Sequence, residues 1–174
     1  LNLANCLTLL RIAATVPLVY LLLQNNVNAE WLAAIVFALA ASLDAVDGYV
    51  ARKFNQITEL GKFLDPVADK LLVISALTAI AFNQRNSETA FWVFLALAII
   101  VAREVFITVV RMTRMKQKKE LAAGMEGKLK AALQMLAIIM LILNLPFAVW
   151  ALWVSVVLTI YSGWQYGKVY FCIL

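Results

Sequence analysis

Between residues 44 and 69 the chain reads D-A-V-D-G-Y-V-A-R (44–52), eight further residues, and then G-K-F-L-D-P-V-A-D (61–69). This segment sets four aspartates in a 174-residue chain that is 64% hydrophobic and only 14% charged. A water-soluble domain needs a largely polar surface, which this composition does not supply. Lipid is the expected solvent. Outward from the segment, apolar stretches recur at about 3–23, 31–50, 63–82, 90–110, 129–145 and 147–172. Each is close to the ~20 residues that cross a hydrocarbon core. They lack the period-2 alternation of a barrel strand, and backbone groups must be paired in lipid. The sequence therefore predicts an all-α integral membrane protein, a six-transmembrane-helix bundle formed by one domain over residues 1–174. No internal repeat, linker or low-complexity tract divides it.

Orientation follows from the basic residues. Arg52, Lys53 and Lys62 follow the second run, and Arg114, Lys116, Lys118, Lys119 and Lys128 follow the fourth. The alternate loops carry only Arg85 with Glu30 and Glu88. By the positive-inside rule both termini face the cytoplasm. Arg11 lies early in an already long apolar run, so the first span reads as a retained helix and not as a cleaved signal. The net charge of +5 suits anionic headgroups on that side. Basic residues that flank spans form no soluble basic face, which argues against a nucleic-acid partner. Cys6 and Cys172 are the only cysteines and histidine is absent, so the usual zinc sites and His-based triads are excluded. Chemistry must come from carboxylates, lysine, arginine and hydroxyls.

Carboxylates at the ends of membrane helices are functional candidates because lipid penalises them. Asp44 and Asp47 are spaced i,i+3 and Asp65 and Asp69 i,i+4, so each pair projects from one side of its helix. A short polar connection, roughly Lys53 to Leu60, makes the two helices antiparallel neighbours and can bring the pairs to one depth. Four carboxylates there stay ionised only if cations share the site, and two divalent ions would balance them. All-oxygen ligation points to Mg²⁺ or Mn²⁺. A plainer alternative makes Asp65-Pro66 a helix N-cap with proline at the first position, ends the preceding helix at Asp47-Gly48, and pairs Asp44 or Asp69 with Arg52 or Lys70.

The eight fixed positions Asp44, Asp47, Gly48, Ala51, Arg52, Gly61, Asp65 and Asp69, with their spacing, resemble the complete signature of the CDP-alcohol phosphotransferase family. The resemblance covers nearly the whole chain. It implies that Asp44, Asp47 and Asp65 hold metal, and that Asp69 contributes to the metal site and serves as the catalytic base. Gly48, Ala51 and Gly61 leave room for close approach of helices and a nucleotide, and Arg52 could fork onto a diphosphate oxygen. Asn5, Thr8 and Thr58 resemble further positions that contact the CDP-diacylglycerol donor. A homodimer is likewise what the family implies; no stretch of this sequence marks an interface.

The second half of the chain bears on the acceptor. Arg103 and Arg111, eight residues apart, lie near one face of the fourth helix, and Lys128 and Lys130 open the fifth from the same side. Such converging cations suit a phosphate monoester, although Arg103 could instead pair internally with Glu104. The strings A-R-E-V-F-I-T-V-V-R and G-K-L-K are similar to the phosphatidylglycerophosphate synthase branch of the family. That similarity implies that Arg103, Arg111 and Lys128 bind the phosphate of sn-glycerol 3-phosphate. Two departures are Ala4, where the family often has proline, and the charged stretch from Lys116 to Glu126. The expected reaction is phosphatidyl transfer from CDP-diacylglycerol at the cytoplasmic face of the cell membrane. Inositol phosphate or serine are alternative acceptors, and a divalent-cation transporter is the alternative of a different class.

Overall fold

The computed structural model describes the backbone of residues 3–24, 26–53, 59–84, 88–115 and 125–171, and the side chains of residues 6–24, 26–43, 64, 66–84, 88–108 and 131–164. The described residues form six helices in order: α1 (Leu3–Leu22), α2 (Val27–Lys53), α3 (Glu59–Asn83), α4 (Glu88–Met115), α5 (Met125–Ile142) and α6 (Ala148–Phe171). The described residues contain no strand. Each apolar run of the sequence has become one helix, so the all-helical expectation holds. Two helices contain an apolar window long enough to cross a membrane, Pro66–Asn83 and Glu88–Thr108. Shorter apolar stretches occupy Cys6–Leu22, Val27–Leu43, Ala131–Ile142 and Ala148–Trp164.

The surface explains why water is the wrong solvent. Val16, Trp31, Leu39, Phe91, Trp150 and Trp164 all point outward, and exposed large apolar side chains occur on every helix. A monomeric soluble protein does not present large apolar side chains to water on this scale. The interior is built differently, with Ala33, Ala40, Ala76, Ala81, Ala96 and Ala137 buried beside Leu18, Phe37, Leu72, Leu77, Ile138 and Leu152. Lipid tails are as apolar as leucine, so burying leucine against leucine gives little drive for association; small residues let helices approach closely and gain van der Waals contact.

Helix α1 packs along both α2 and α3, whereas α2 and α3 touch each other only briefly. The sequence makes α2 and α3 neighbours through their short connection, yet α1 supplies most of the surface that holds them together. Helix α3 is central, meeting α1, α2, α4 and α5, and α4 and α5 are both backed by α6. On α1 the inward stripe is Thr8, Arg11, Thr15, Leu18 and Leu22, a run of three- and four-residue steps.

Several boundaries differ from expectation. Pro66 lies inside α3, seven residues after its start, and α2 continues through Asp47 and Gly48 to Lys53. The plainer alternative that made Asp65 an N-cap and Gly48 a helix end is thereby overturned. Both aspartate pairs sit within helices, where no free helix-end amide needs them. Helix α5 stops at Ile142, not 145, because the chain turns at Asn144, whose φ is 49°, ahead of Pro146. Asparagine tolerates this left-handed conformation better than most residues.

Candidate active site

Helical rise fixes where the aspartates stand. Asp47 lies six residues before the end of α2 and Asp65 six residues after the start of α3, so each is about 9 Å along its helix from the α2–α3 connection. Asp44 and Asp69 lie about 14 Å along by the same rise. The two pairs therefore have matching depths on two helices that meet. The side chains of Asp44, Asp47 and Asp65 are outside the described residues, as are those of Asn5, Gly48, Ala51, Arg52, Gly61, Arg111, Lys128 and Lys130; Thr58 lies outside them entirely. Among the described residues no group of three His, Cys, Asp or Glu side chains comes together.

Asp69 is described, and its surroundings are specific. It lines a cavity of about 80 Å³ between α3, α4 and α5, together with Lys70, Val73, Ile74, Ile100, Val101, Glu104, Ala131, Gln134 and Met135. One ionic chain crosses its wall. Lys70 Nζ donates to Thr108 Oγ1 at 2.8 Å and pairs with Glu104 Oε2 at 3.6 Å. Thr108 Oγ1 in turn donates to the Glu104 carbonyl at 2.7 Å. Glu104 Oε1 accepts from Arg103 Nη1, and Arg103 Nη2 donates to Ser162 Oγ on α6 at 2.7 Å. The chain thus runs from α3 through α4 to α6. Lys70 turns to α4 and not to the adjacent aspartate, so the Asp69–Lys70 pairing of the plainer alternative is overturned as well.

For Arg103, the internal pair with Glu104 is what forms. The guanidinium has five N–H donors. Two groups engage it, while Nε is buried with no acceptor among the described residues. Its stem rests on α6, where a Cβ added to Gly163 would stand 3.5 Å from Arg103 Cγ. Gly163 and Ser162 form the seat of this arginine. Neither is marked in the sequence as a site residue, because the signal is a contact between helices 59 residues apart.

Thr8 is fully buried on α1, one turn before Arg11, which is also fully buried. Arg11 is the larger omission from the sequence reading. A guanidinium taken out of water requires anionic or multiple polar partners, and α1 lies against the two helices that carry the aspartates. The available signal was a charge inside an apolar run.

Residues 1–161 match the family described as CDP-alcohol phosphatidyltransferase. The chain belongs to the CDP-alcohol phosphatidyltransferase family. Three relatives bear the name CDP-diacylglycerol–glycerol-3-phosphate 3-phosphatidyltransferase. The one from Bacillus subtilis (strain 168) is 38% identical, with 95% of this chain and 93% of the relative covered. The one from Sodalis glossinidius (strain morsitans) is 35% identical over 95% and 93%. The one from Rickettsia typhi (strain ATCC VR-144 / Wilmington) is 35% identical over 96% of each. Membership of the CDP-alcohol phosphatidyltransferases makes this chain an enzyme and, with its apolar helices, a membrane protein. The transporter alternative is set aside.

Proposed function

We propose that the chain transfers the phosphatidyl group of CDP-diacylglycerol to sn-glycerol 3-phosphate, giving phosphatidylglycerophosphate and CMP. The observation that carries this reading is 35–38% identity, across about 95% of the chain, to relatives named for that reaction. Similarity of that extent takes in the acceptor half as well as the donor half. Inositol phosphate and serine are thereby less well supported as acceptors.

The donor set of four carboxylates on two touching helices fits a hard divalent cation, with no softer ligand in the motif. Asp44, Asp47, Asp65 and Asp69 would hold two ions, Mg²⁺ or Mn²⁺, which would neutralise the diphosphate and stabilise departing CMP. The chain's own residues supply the rest. Asn5, Thr8, Gly48, Ala51, Arg52, Thr58 and Gly61 border the nucleotide of the donor. Arg103, Arg111 and Lys128 hold the acceptor phosphate, with Arg103 aimed by Glu104 and Ser162. An Asp69 oxygen accepts the proton of the acceptor's terminal hydroxyl; the hydroxyl oxygen attacks the phosphorus bearing the diacylglycerol, and the bond from this phosphorus to the CMP oxygen breaks in line. No covalent enzyme intermediate is required. The donor's acyl chains stay in lipid, which puts the site near the cytoplasmic interface of a six-span protein, and the active unit is a homodimer.

The test is CMP release by purified protein in detergent with CDP-diacylglycerol as donor. Release that depends on sn-glycerol 3-phosphate, and is not supported by inositol phosphate or serine, is expected. Equal release with any alcohol, or none with glycerol phosphate, would sink the assignment.

A further inference from the structure

Among the described residues, three polar side chains besides Asp69 line the cavity between α3, α4 and α5: Lys70, Glu104 and Gln134. Lys70 and Glu104 are engaged with one another and with α4. Gln134 differs. It is 7% exposed, yet its amide makes no hydrogen bond to another described residue. A primary amide offers two N–H donors and two acceptor positions. Its companions on the buried stripe of α5 are Ala137, Ile138 and Leu141, and an apolar residue at 134 would continue that stripe without leaving polar atoms unmet. The cavity, at about 80 Å³, is several times what one water requires. It is sized for a short polyol.

We propose that Gln134 determines acceptor specificity by hydrogen-bonding the central hydroxyl of the glycerol moiety while Asp69 faces its terminal hydroxyl. The inference rests on the acceptor reading above and adds to it a residue and a contact. Asp69 and Gln134 line the same cavity from α3 and α5; a three-carbon chain held between them would present one hydroxyl to each. A hydroxyl is suited to this amide because it both donates and accepts. A site built to bond a substrate hydroxyl discriminates against an analogue without it, since the amide then loses that bond.

The test compares CMP release with sn-glycerol 3-phosphate and with 3-hydroxypropyl phosphate, which keeps the terminal hydroxyl and phosphate but lacks the central hydroxyl. Wild type, Gln134→Leu and Gln134→Met are measured with both. Wild type is expected to favour glycerol phosphate by about tenfold or more in kcat/KM. Both variants are expected to lose that preference to within about twofold, through weaker use of glycerol phosphate, with KM for CDP-diacylglycerol unchanged and 3-hydroxypropyl phosphate still consumed. A preference that survives in a folded variant overturns the inference and leaves the proposed function standing. The wild-type ratio needs no variant, and a ratio near one overturns the assignment of Gln134 by itself. Absence of any release from glycerol phosphate in wild type sinks the function and the inference together.

Discussion

The two ends of the helix bundle solve different problems with polar residues. At the end where α2 passes into α3 and α4 precedes α5, ionic groups lie partly buried around a cavity and are tied across three helices through Lys70, Glu104, Arg103 and Ser162. At the other end two exposed amides and a carboxylate are joined: Asn144 Nδ2 donates to Glu30 Oε1 at 2.9 Å, and Gln84 Nε2 donates to Asn144 Oδ1 at 2.9 Å. The second set is a clasp. It fastens the start of α2, the end of α3 and the α5–α6 turn, and water can replace each of its bonds. The first set keeps charges where lipid and apolar side chains penalise them, an arrangement that stability alone does not favour. The difference teaches where the chemistry is.

The largest effect should come from the base. Asp69→Asn is expected to lower kcat by about 10²–10⁴-fold while the protein still binds CDP-diacylglycerol, checked by CMP release and by donor binding in detergent. Removing divalent cations with a chelator should likewise abolish CMP release, and adding Mg²⁺ or Mn²⁺ should restore it; activity that persists in excess chelator would break the reading of the four aspartates.

An intermediate effect is expected at Arg103. Arg103→Ala should raise the KM for sn-glycerol 3-phosphate by about tenfold or more, as a charge-assisted contact is worth roughly 1.5–3 kcal/mol, and leave the KM for CDP-diacylglycerol nearly unchanged. Equal changes in both would show that this arginine only braces α4 against α6. Asn144→Ala sharpens the contrast from the opposite end. It removes two exposed hydrogen bonds and places alanine at a φ of 49°, a cost of about 1–2 kcal/mol in stability, read as a lower melting temperature in detergent. Its kinetic constants should match wild type. The smallest effect is expected for Gly163→Ala, whose new methyl would meet Arg103 Cγ at ordinary contact distance. A change in kcat/KM within about twofold is expected, and a larger loss would mean that Arg103 needs more room than the seat suggests.

Much of this was legible in the linear order of residues. Each of the six apolar runs gave a helix among the described residues, because an apolar stretch of that length has few ways to pair its backbone other than as a helix. The spacing of Asp44, Asp47, Asp65 and Asp69 was legible because i,i+3 and i,i+4 steps share a helix face. Pro66 offered a choice: the apolar run 63–82 already enclosed it, the plainer alternative opened a helix there, and in α3 it sits in the interior, where neighbouring helices in a bundle tolerate it. Arg103 looked like a free phosphate ligand or a partner of Glu104, and spacing alone could not choose between them. Ser162, Gly163 and Gln134 carried no signal, since hydroxyls, glycines and amides recur in membrane helices as ordinary packing elements.

By itself, then, the sequence determined the solvent, the helical nature of the described residues and the spacing of the four aspartates, all of which depend on composition and short-range periodicity. Only the tertiary structure decided that α1 is the wedge along α2 and α3, that Glu104 joins Lys70 to Arg103, and that Gln134 shares a cavity with Asp69. These are contacts between residues far apart in the chain. They depend on how small residues let particular helix faces approach, which no local pattern encodes.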